Sequence, residues 1–370
     1  MSKKALNLVL TIRDDIDSNN IYSNGISQNI IFFYDLFELL GHNVTLMIVT
    51  KRDKKFIRFK KDKKYKIRTI DEVIQKHGDI DILFEVGNIV GDVIRKKVTD
   101  KGGKILHVLC GNQLIMDMEL LFYDDGKDAG FRHMYNDIDH VWIIPQHTHQ
   151  KSYIEVMSNA EVNVCPCIWE PDFVTLESKT HLQFRETPNI YVMEPNLSVL
   201  KNCLIPVAII EALHRKNPTS FNQAFIVNGQ VVNNHPYFLN NIVSNFHASN
   251  AFRYSDKVFY TPRASFTEVF THYDVLLSHH WKNPLNYLSF EALYHNIPFV
   301  HNSELMKDVG YYYPEFEVHD GARAVEDALL NYKATFKEHV KRNQTYVESL
   351  SIHNTSVQET YKSLIAKALN

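Results

Sequence analysis

The residue types best suited to chemistry are concentrated between positions 273 and 301. An apolar run, 274–278, opens into the polar string Ser278-His279-His280-Trp281-Lys282-Asn283-Pro284, and a helix-forming stretch with Glu291 follows. Asn283-Pro284 reads as a helix cap followed by proline in the first turn, where unpaired backbone N–H groups and the helix dipole favour a phosphate. Glu291 then falls roughly two turns along that helix. A carboxylate there can accept hydrogen bonds from two vicinal hydroxyls, as a ribose presents them. A second loop, Glu194-Pro195-Asn196, follows the apolar run 189–193, with Lys201 five residues later. Its ammonium can meet a diphosphate as a point charge. Taken singly, Asn283 reads better as a plain cap and Glu291 as a solvated helix residue, and Lys201 is equally a surface lysine.

A different chemistry is written in residues 51–68. Eleven lysines and arginines stand there against Asp53 and Asp62, interleaved with Phe56, Phe59 and Tyr65, in a chain whose formal charge is only −3. Such a run neutralises phosphates, and its aromatics can stack on bases. Lys54, Lys55, Lys60 and Lys61 are the candidate phosphate contacts, and double-stranded DNA is the partner they suggest; a solvated lysine-rich hairpin is the alternative.

Metal chemistry finds little support. Asp-x-Asp occurs three times, at 15–17, 79–81 and 137–139, so the match is cheap, and the last two simply precede apolar runs. The 19 histidines are scattered, and the pairs His147-x-His149 and His279-His280 have no cysteine or carboxylate at ligand spacing. Cys110, Cys165, Cys167 and Cys203 lack paired CxxC spacing and read as reduced, buried thiols. No metal and no cofactor is expected.

These residues need a frame to hold them. Apolar runs at 6–12, 44–49, 81–86, 104–110 and 140–144 alternate with helical or loop segments, including an amphipathic stretch 27–40 closed by Gly41. The pattern breaks across 166–188, which reads as a linker, and restarts at 189–193 with a helix over 199–215 kinked at Pro206. Further runs follow at 224–227, 257–260, 274–278 and 298–301, and the tail from 322 is helical in pattern. With 370 residues, 45% hydrophobic and 22% charged, the chain can build two cores. The expectation is α/β: two Rossmann-like doubly wound domains, 1–175 and 186–354, facing across a cleft, with helix 355–370 bracing the first. Sites then belong in loops after strands. No segment reaches the about 20 apolar residues of a membrane span, and no secretory leader is read at the start, so the cytoplasm is the expected compartment. Nothing in the sequence sets an oligomeric state.

The segment 273–300 resembles the donor site of retaining GT-B glycosyltransferases. Asp274, Ser278, Glu291-Ala292, Pro298 and Val300 match in order, with Asn283 where that family carries its first glutamate and Asn296 in place of its turn glycine. A closer resemblance, to GT-B-like proteins of phages and bacteria, rests on Ser23-Asn24-Gly25, Gly111-Asn112, Val141-Trp142 with Pro145-Gln146-His147, and Glu194-Pro195-Asn196 with Lys201. His279, Trp281, Asn283-Pro284, Asn286-Tyr287, His301-Asn302 and Gly310-Tyr311-Tyr312-Tyr313 belong to it too. The resemblance implies a GT-B glycosyltransferase with a UDP-sugar donor held by Glu194, Asn196, Lys201, His279, Asn283, Asn286, Tyr287 and Glu291. It places Asn24 and Gly25 at the acceptor side. Glu119 and His147 are the candidates for a catalytic base. The acceptor expected with the basic run is hydroxymethylated cytosine in phage DNA, receiving glucose or arabinose. A surface glycan or small acceptor, or a non-catalytic nucleotide- or DNA-binding relic of the fold, are the alternatives.

Overall fold

Short apolar runs become most of the strands of two parallel sheets. The structure, a computed structural model, describes residues 5–13, 25–49, 63–76, 78–123, 137–174, 182–248 and 257–370. It divides into one unit of residues 1–173 and 349–370 and another of 174–348.

In the first unit the order is β1 (Asn7–Ile12), α1 (Gly25–Leu39), β2 (Asn43–Ile48), β3 (Ile67–Thr69), α2 (Ile70–Lys76), β4 (Ile82–Val86), α3 (Asp92–Thr99), β5 (Lys104–Leu109), α4 (Gln113–Tyr123), β6 (His140–Ile143), α5 (Lys151–Ser158) and β7 (Glu161–Val164). The seven strands lie in the order β3-β2-β1-β4-β5-β6-β7, all parallel. Gly41 ends α1 as the sequence predicts. Its φ of 89° is open to glycine, and the N–H of His42 returns to the carbonyl of Phe37 at 3.0 Å.

The second unit runs β8 (Ile190–Val192), α6 (Leu204–Lys216), β9 (Ala224–Val227), α7 (Gln230–Asn233), β10 (Val258–Thr261), α8 (Phe266–Val269), β11 (Val275–Leu277), α9 (Tyr287–Tyr294), β12 (Phe299–His301), β13 (Tyr311–Tyr312) and α10 (Val318–Ser349). Its six strands lie in the order β10-β9-β8-β11-β12-β13, again parallel. The expected helix 199–215 starts later, at Leu204, so Pro206 sits in the first turn of α6 instead of kinking its middle. A proline costs little there, because first-turn N–H groups have no helical acceptor.

Three aspartates pin the starts of strands. Asp81, just before β4, accepts the N–H of Asn7 at 2.6 Å; Asp139, before β6, that of Ile105 at 2.7 Å; Asp274, before β11, that of Asn189 at 2.8 Å. Two of the three Asp-x-Asp strings are thereby explained, since Asp79 also pairs with Lys101 and Asp137 with Arg95. These carboxylates set strand register at the edge away from the loops where ligands bind.

The last helix, α11 (Thr355–Ala368), belongs to the first unit. Asn354 caps it, accepting from the N–H groups of Ser356 and Val357. The fully buried Tyr361 packs its ring against Phe33, Phe37 and Trp142 and donates its hydroxyl to the carbonyl of Pro166 at 2.6 Å. Tyr361→Ala is expected to destabilise this unit by about 3–5 kcal/mol, as for other large aromatic truncations in a core. A shift of the guanidinium midpoint at unchanged slope would report it, and an unmoved midpoint would show that α11 carries no such load.

Candidate functional site

Strand order locates the site. In the second sheet the chain winds outward in opposite directions from β8 and β11, so the point between them is the topological switch where open α/β sheets bind ligands. Register does the rest. Val275 lies beside Ile190 and Leu276 beside Tyr191, so the residues just past each strand end also meet. Ser278 Oγ donates to Glu194 Oε1 at 2.6 Å, and the N–H of His279 reaches the same oxygen at 3.2 Å.

Glu194 is only 1% exposed, and its other oxygen, Oε2, has no hydrogen-bond partner among the described residues. Burial pushes its carboxyl up from the usual range, while Ser278 and the Lys201 charge pull it back. Burial likewise lowers the Lys201 ammonium, which Glu194 supports. Each group steadies the other's charge against burial, and Glu194 Oε2 remains a buried acceptor that no described residue satisfies. Leaving such an atom without a partner costs about 1–3 kcal/mol, a cost a ligand donor would remove.

The histidines extend the arrangement. The Tyr313 hydroxyl donates to the carbonyl of Ser278 at 3.1 Å, so His279 Nδ1, 3.0 Å from the same hydroxyl, carries a hydrogen and donates to it. His279 Nε2 is left as a buried acceptor with no partner among the described residues. Burial holds this ring neutral, its pKa lowered to about 4.

Asn196 has a different task. Its φ of 55° is left-handed, its Nδ2 donates to the carbonyls of Glu194 (3.0 Å) and Asn228 (3.3 Å), and its Oδ1 accepts the N–H of Cys203 at 2.8 Å. The side chain folds the loop that presents Glu194 and Lys201.

The helix after the loop corrects the sequence expectation. α9 begins at Tyr287 with Asn286 as its N-cap residue, so Asn283 is not a cap and Pro284 is not in the first turn. Residues 283–285 are held out of the helix: the N–H of Asn283 goes to His280 Nδ1 at 3.3 Å, and Ser303 Oγ donates to the carbonyl of Pro284 at 2.6 Å. Glu291 therefore stands just over one turn into α9, not two. It is 8% exposed, and burial alone pushes its carboxyl up to about 8. Among the described residues no side chain hydrogen-bonds to it.

The remaining candidates belong to the first unit. His147 is fully buried in a short 3-10 turn, Pro145–Gln150, after β6, with its Nε2 3.1 Å from Gln146 Nε2. Glu119 lies inside α4, half-buried, not in a loop after a strand. Gly25 is the exposed first residue of α1. Asn24, Lys54, Lys55, Lys60 and Lys61 lie outside the described residues. From the end of the basic run, Lys63 pairs with Asp35 at 2.5 Å and Glu38 at 2.8 Å and lies over the rings of Tyr34 and Tyr65. Among the described residues no group of three His, Cys, Asp or Glu side chains is arranged to hold a metal ion. No helix of the described residues is long and apolar enough to cross a membrane.

Sequence reasoning assigns no role to His280, Asn302 or Tyr313. The last two stand in the motif string, but their partners are set by the fold: Asn302 clamps both the N–H and the carbonyl of His280, at 3.0 and 2.8 Å.

Two parallel Rossmann-like sheets define a protein of the GT-B fold. Solved structures share it over nearly the whole chain. Sucrose-phosphate synthase from Thermosynechococcus elongatus is 12% identical over 98% of both chains, with a TM-score of 0.54. Anabaena HepE in complex with UDP and glucose is 10% identical over 98% of this chain and 99% of its own, at 0.58. Trehalose 6-phosphate synthase from Burkholderia multivorans is 8% identical over 98% and 96%, at 0.59. At these identities the likeness is one of fold. The chain belongs to the family of proteins of unknown function DUF2827, whose model matches residues 9–365. No curated protein matches it in sequence.

Proposed function

We propose that the protein is a glycosyltransferase taking a sugar from a UDP-linked donor bound at the carboxyl edge of the second sheet. The observation that carries this reading is the pair of buried acceptors, Glu194 Oε2 and His279 Nε2, left without a hydrogen-bond partner among the described residues at the switch point between β8 and β11, with Lys201 near enough to Glu194 to act on its charge. Hydroxyl groups of a sugar supply the missing donors, a diphosphate meets Lys201, and Glu291 accepts from ribose. That a protein of this fold has been crystallised with UDP and glucose supports the choice of donor.

The acceptor we propose is hydroxymethylated cytosine in double-stranded DNA, with glucose or arabinose transferred. Support comes from the density of positive charge over residues 51–68. Incubation with a panel of nucleotide sugars and hydroxymethylated DNA, followed by nucleoside mass spectrometry, tests donor and acceptor together. Transfer to small or glycan acceptors alone would move the reading to a surface-glycan enzyme. Binding without turnover on any acceptor would make the protein a non-catalytic relic.

Replacing Lys54, Lys55, Lys60 and Lys61 with glutamine should weaken duplex binding. Its salt dependence should flatten by up to about one log–log unit for each phosphate no longer neutralised. UDP affinity should not move. Unaltered DNA affinity and salt slope in that variant would remove DNA as the acceptor.

A further inference from the structure

His280 has no assigned part in donor binding, yet its surroundings leave it little other use. Its backbone is fixed on both sides by the Asn302 side chain. Its Nδ1 lies 3.3 Å from the N–H of Asn283, and an N–H can only donate, so Nδ1 is the acceptor and the ring hydrogen is on Nε2. That Nε2–H is buried and has no hydrogen-bond partner among the described residues.

The charges near it are those of Lys201 and Lys282, and its histidine neighbours are His279 and His301. Burial first, then these neighbours, lower its pKa to about 3, so the ring stays a neutral donor at every physiological pH. A fixed neutral donor that feels the charges of two lysines is suited to an anion, and it is unsuited to a metal, which would need a free lone pair.

Resting on the donor-site reading above, we propose that His280, through Nε2–H, binds the diphosphate of the nucleotide sugar together with Lys201. The imidazole is held in the required tautomer by the loop itself, so no proton has to move when the ligand arrives. The N–H of Asn283 thus acts through His280: it orients the ring instead of meeting phosphate as a helix-end amide.

Side-chain geometry supplies the test. In His280→Asn the amide oxygen stands near the Nδ1 position and can keep the Asn283 hydrogen bond, but nothing remains at Nε2. In His280→Gln an N–H returns near the Nε2 position. Calorimetry with UDP and with uridine separates the diphosphate from the nucleoside. The expected result is UDP affinity about 10- to 100-fold lower in His280→Asn, the scale of a hydrogen bond to a charged group, with uridine affinity unchanged and UDP binding largely regained in His280→Gln. Equal UDP affinity in wild type and His280→Asn, or equal losses for UDP and uridine, would overturn the proposal while leaving the donor site standing. A wild-type protein that binds neither ligand would reject the donor-site reading itself. Should His280→Asn fail to fold, imidazole ¹⁵N spectra of the wild-type protein decide the matter. The His280 Nε2–H signal must shift with UDP and not with uridine, and a signal unmoved by UDP overturns the proposal.

Discussion

Glu291→Gln is expected to remove a large pH dependence from the stability of the unliganded protein. The Glu291 carboxyl is raised by burial from 4.5 to about 8 in the folded chain. Between those values the folded state holds a proton that the unfolded state has released, so the contribution of this group to stability falls as pH rises through the window. It is fully present below about pH 4.5 and lost by about pH 8. The span is worth on the order of 3–5 kcal/mol. A glutamine has no proton to lose, so its stability relative to the wild type should rise steadily with pH across this window, whatever the buried histidines add to both proteins. Urea titrations of both proteins at pH 5, 7 and 8.5 would check this, and parallel curves would refute it.

The same carboxyl makes a statement about binding. If ribose hydroxyls donate to Glu291, they favour its ionised form, and the nucleotide must expel the proton to bind below about pH 8. UDP affinity should therefore climb with pH, by up to about tenfold per unit, until that value is passed. Heats of binding at pH 7 should depend on the ionisation enthalpy of the buffer. Glu291→Ala should cost about 1–3 kcal/mol of UDP affinity, and uridine should share the loss.

The second large effect is expected at Lys201. Lys201→Met removes the charge proposed to meet the diphosphate, and turnover with a UDP-sugar should fall on the order of 10²–10³-fold, as when one preorganised transition-state hydrogen bond is removed elsewhere. Stability should change far less. Burial already drives Glu194 toward its protonated form, so the carboxyl left behind can take up a proton in place of its former partner. A folded Lys201→Met protein with wild-type turnover would contradict the role, and one with intact UDP affinity would move Lys201 away from the phosphates.

Most interior strands are legible because a strand buried on both faces must be a short apolar run. The runs at 6–12, 81–86, 104–110 and 274–278 coincide with β1, β4, β5 and β11 to within a residue or two. The strands that leave no such mark are β3, β7 and β13, and all three lie at sheet edges. Edge strands bury less and can be short or polar: β3 overlaps the end of the basic run, β7 reads Glu-Val-Asn-Val, and β13 is two tyrosines. At the candidate site, Glu194 and Lys201 stand out in the sequence in and after a loop that follows an apolar run, Glu291 in the helix after the next, and His279 only through the resemblance. The start of α9 is not, because Asn283-Pro284 has the local chemistry of a helix start but is tied down by His280 and Ser303. His280 is not legible either. Its tautomer depends on how the loop folds to bring the Asn283 N–H back onto the ring, and its position on Asn302, which is distant in sequence.

The placement of α11 bears on how the chain is made. Residues 174–348 form one continuous unit set between two pieces of the other. A ribosome delivers residues in order, so the second sheet has all its strands before the first unit receives its last helix. Until residues 355–368 emerge, Phe33, Phe37 and Trp142 lack the Tyr361 ring that covers them. The unit begun first is thus completed last, and through most of synthesis it carries an uncovered aromatic face of the kind that aggregates or engages chaperones.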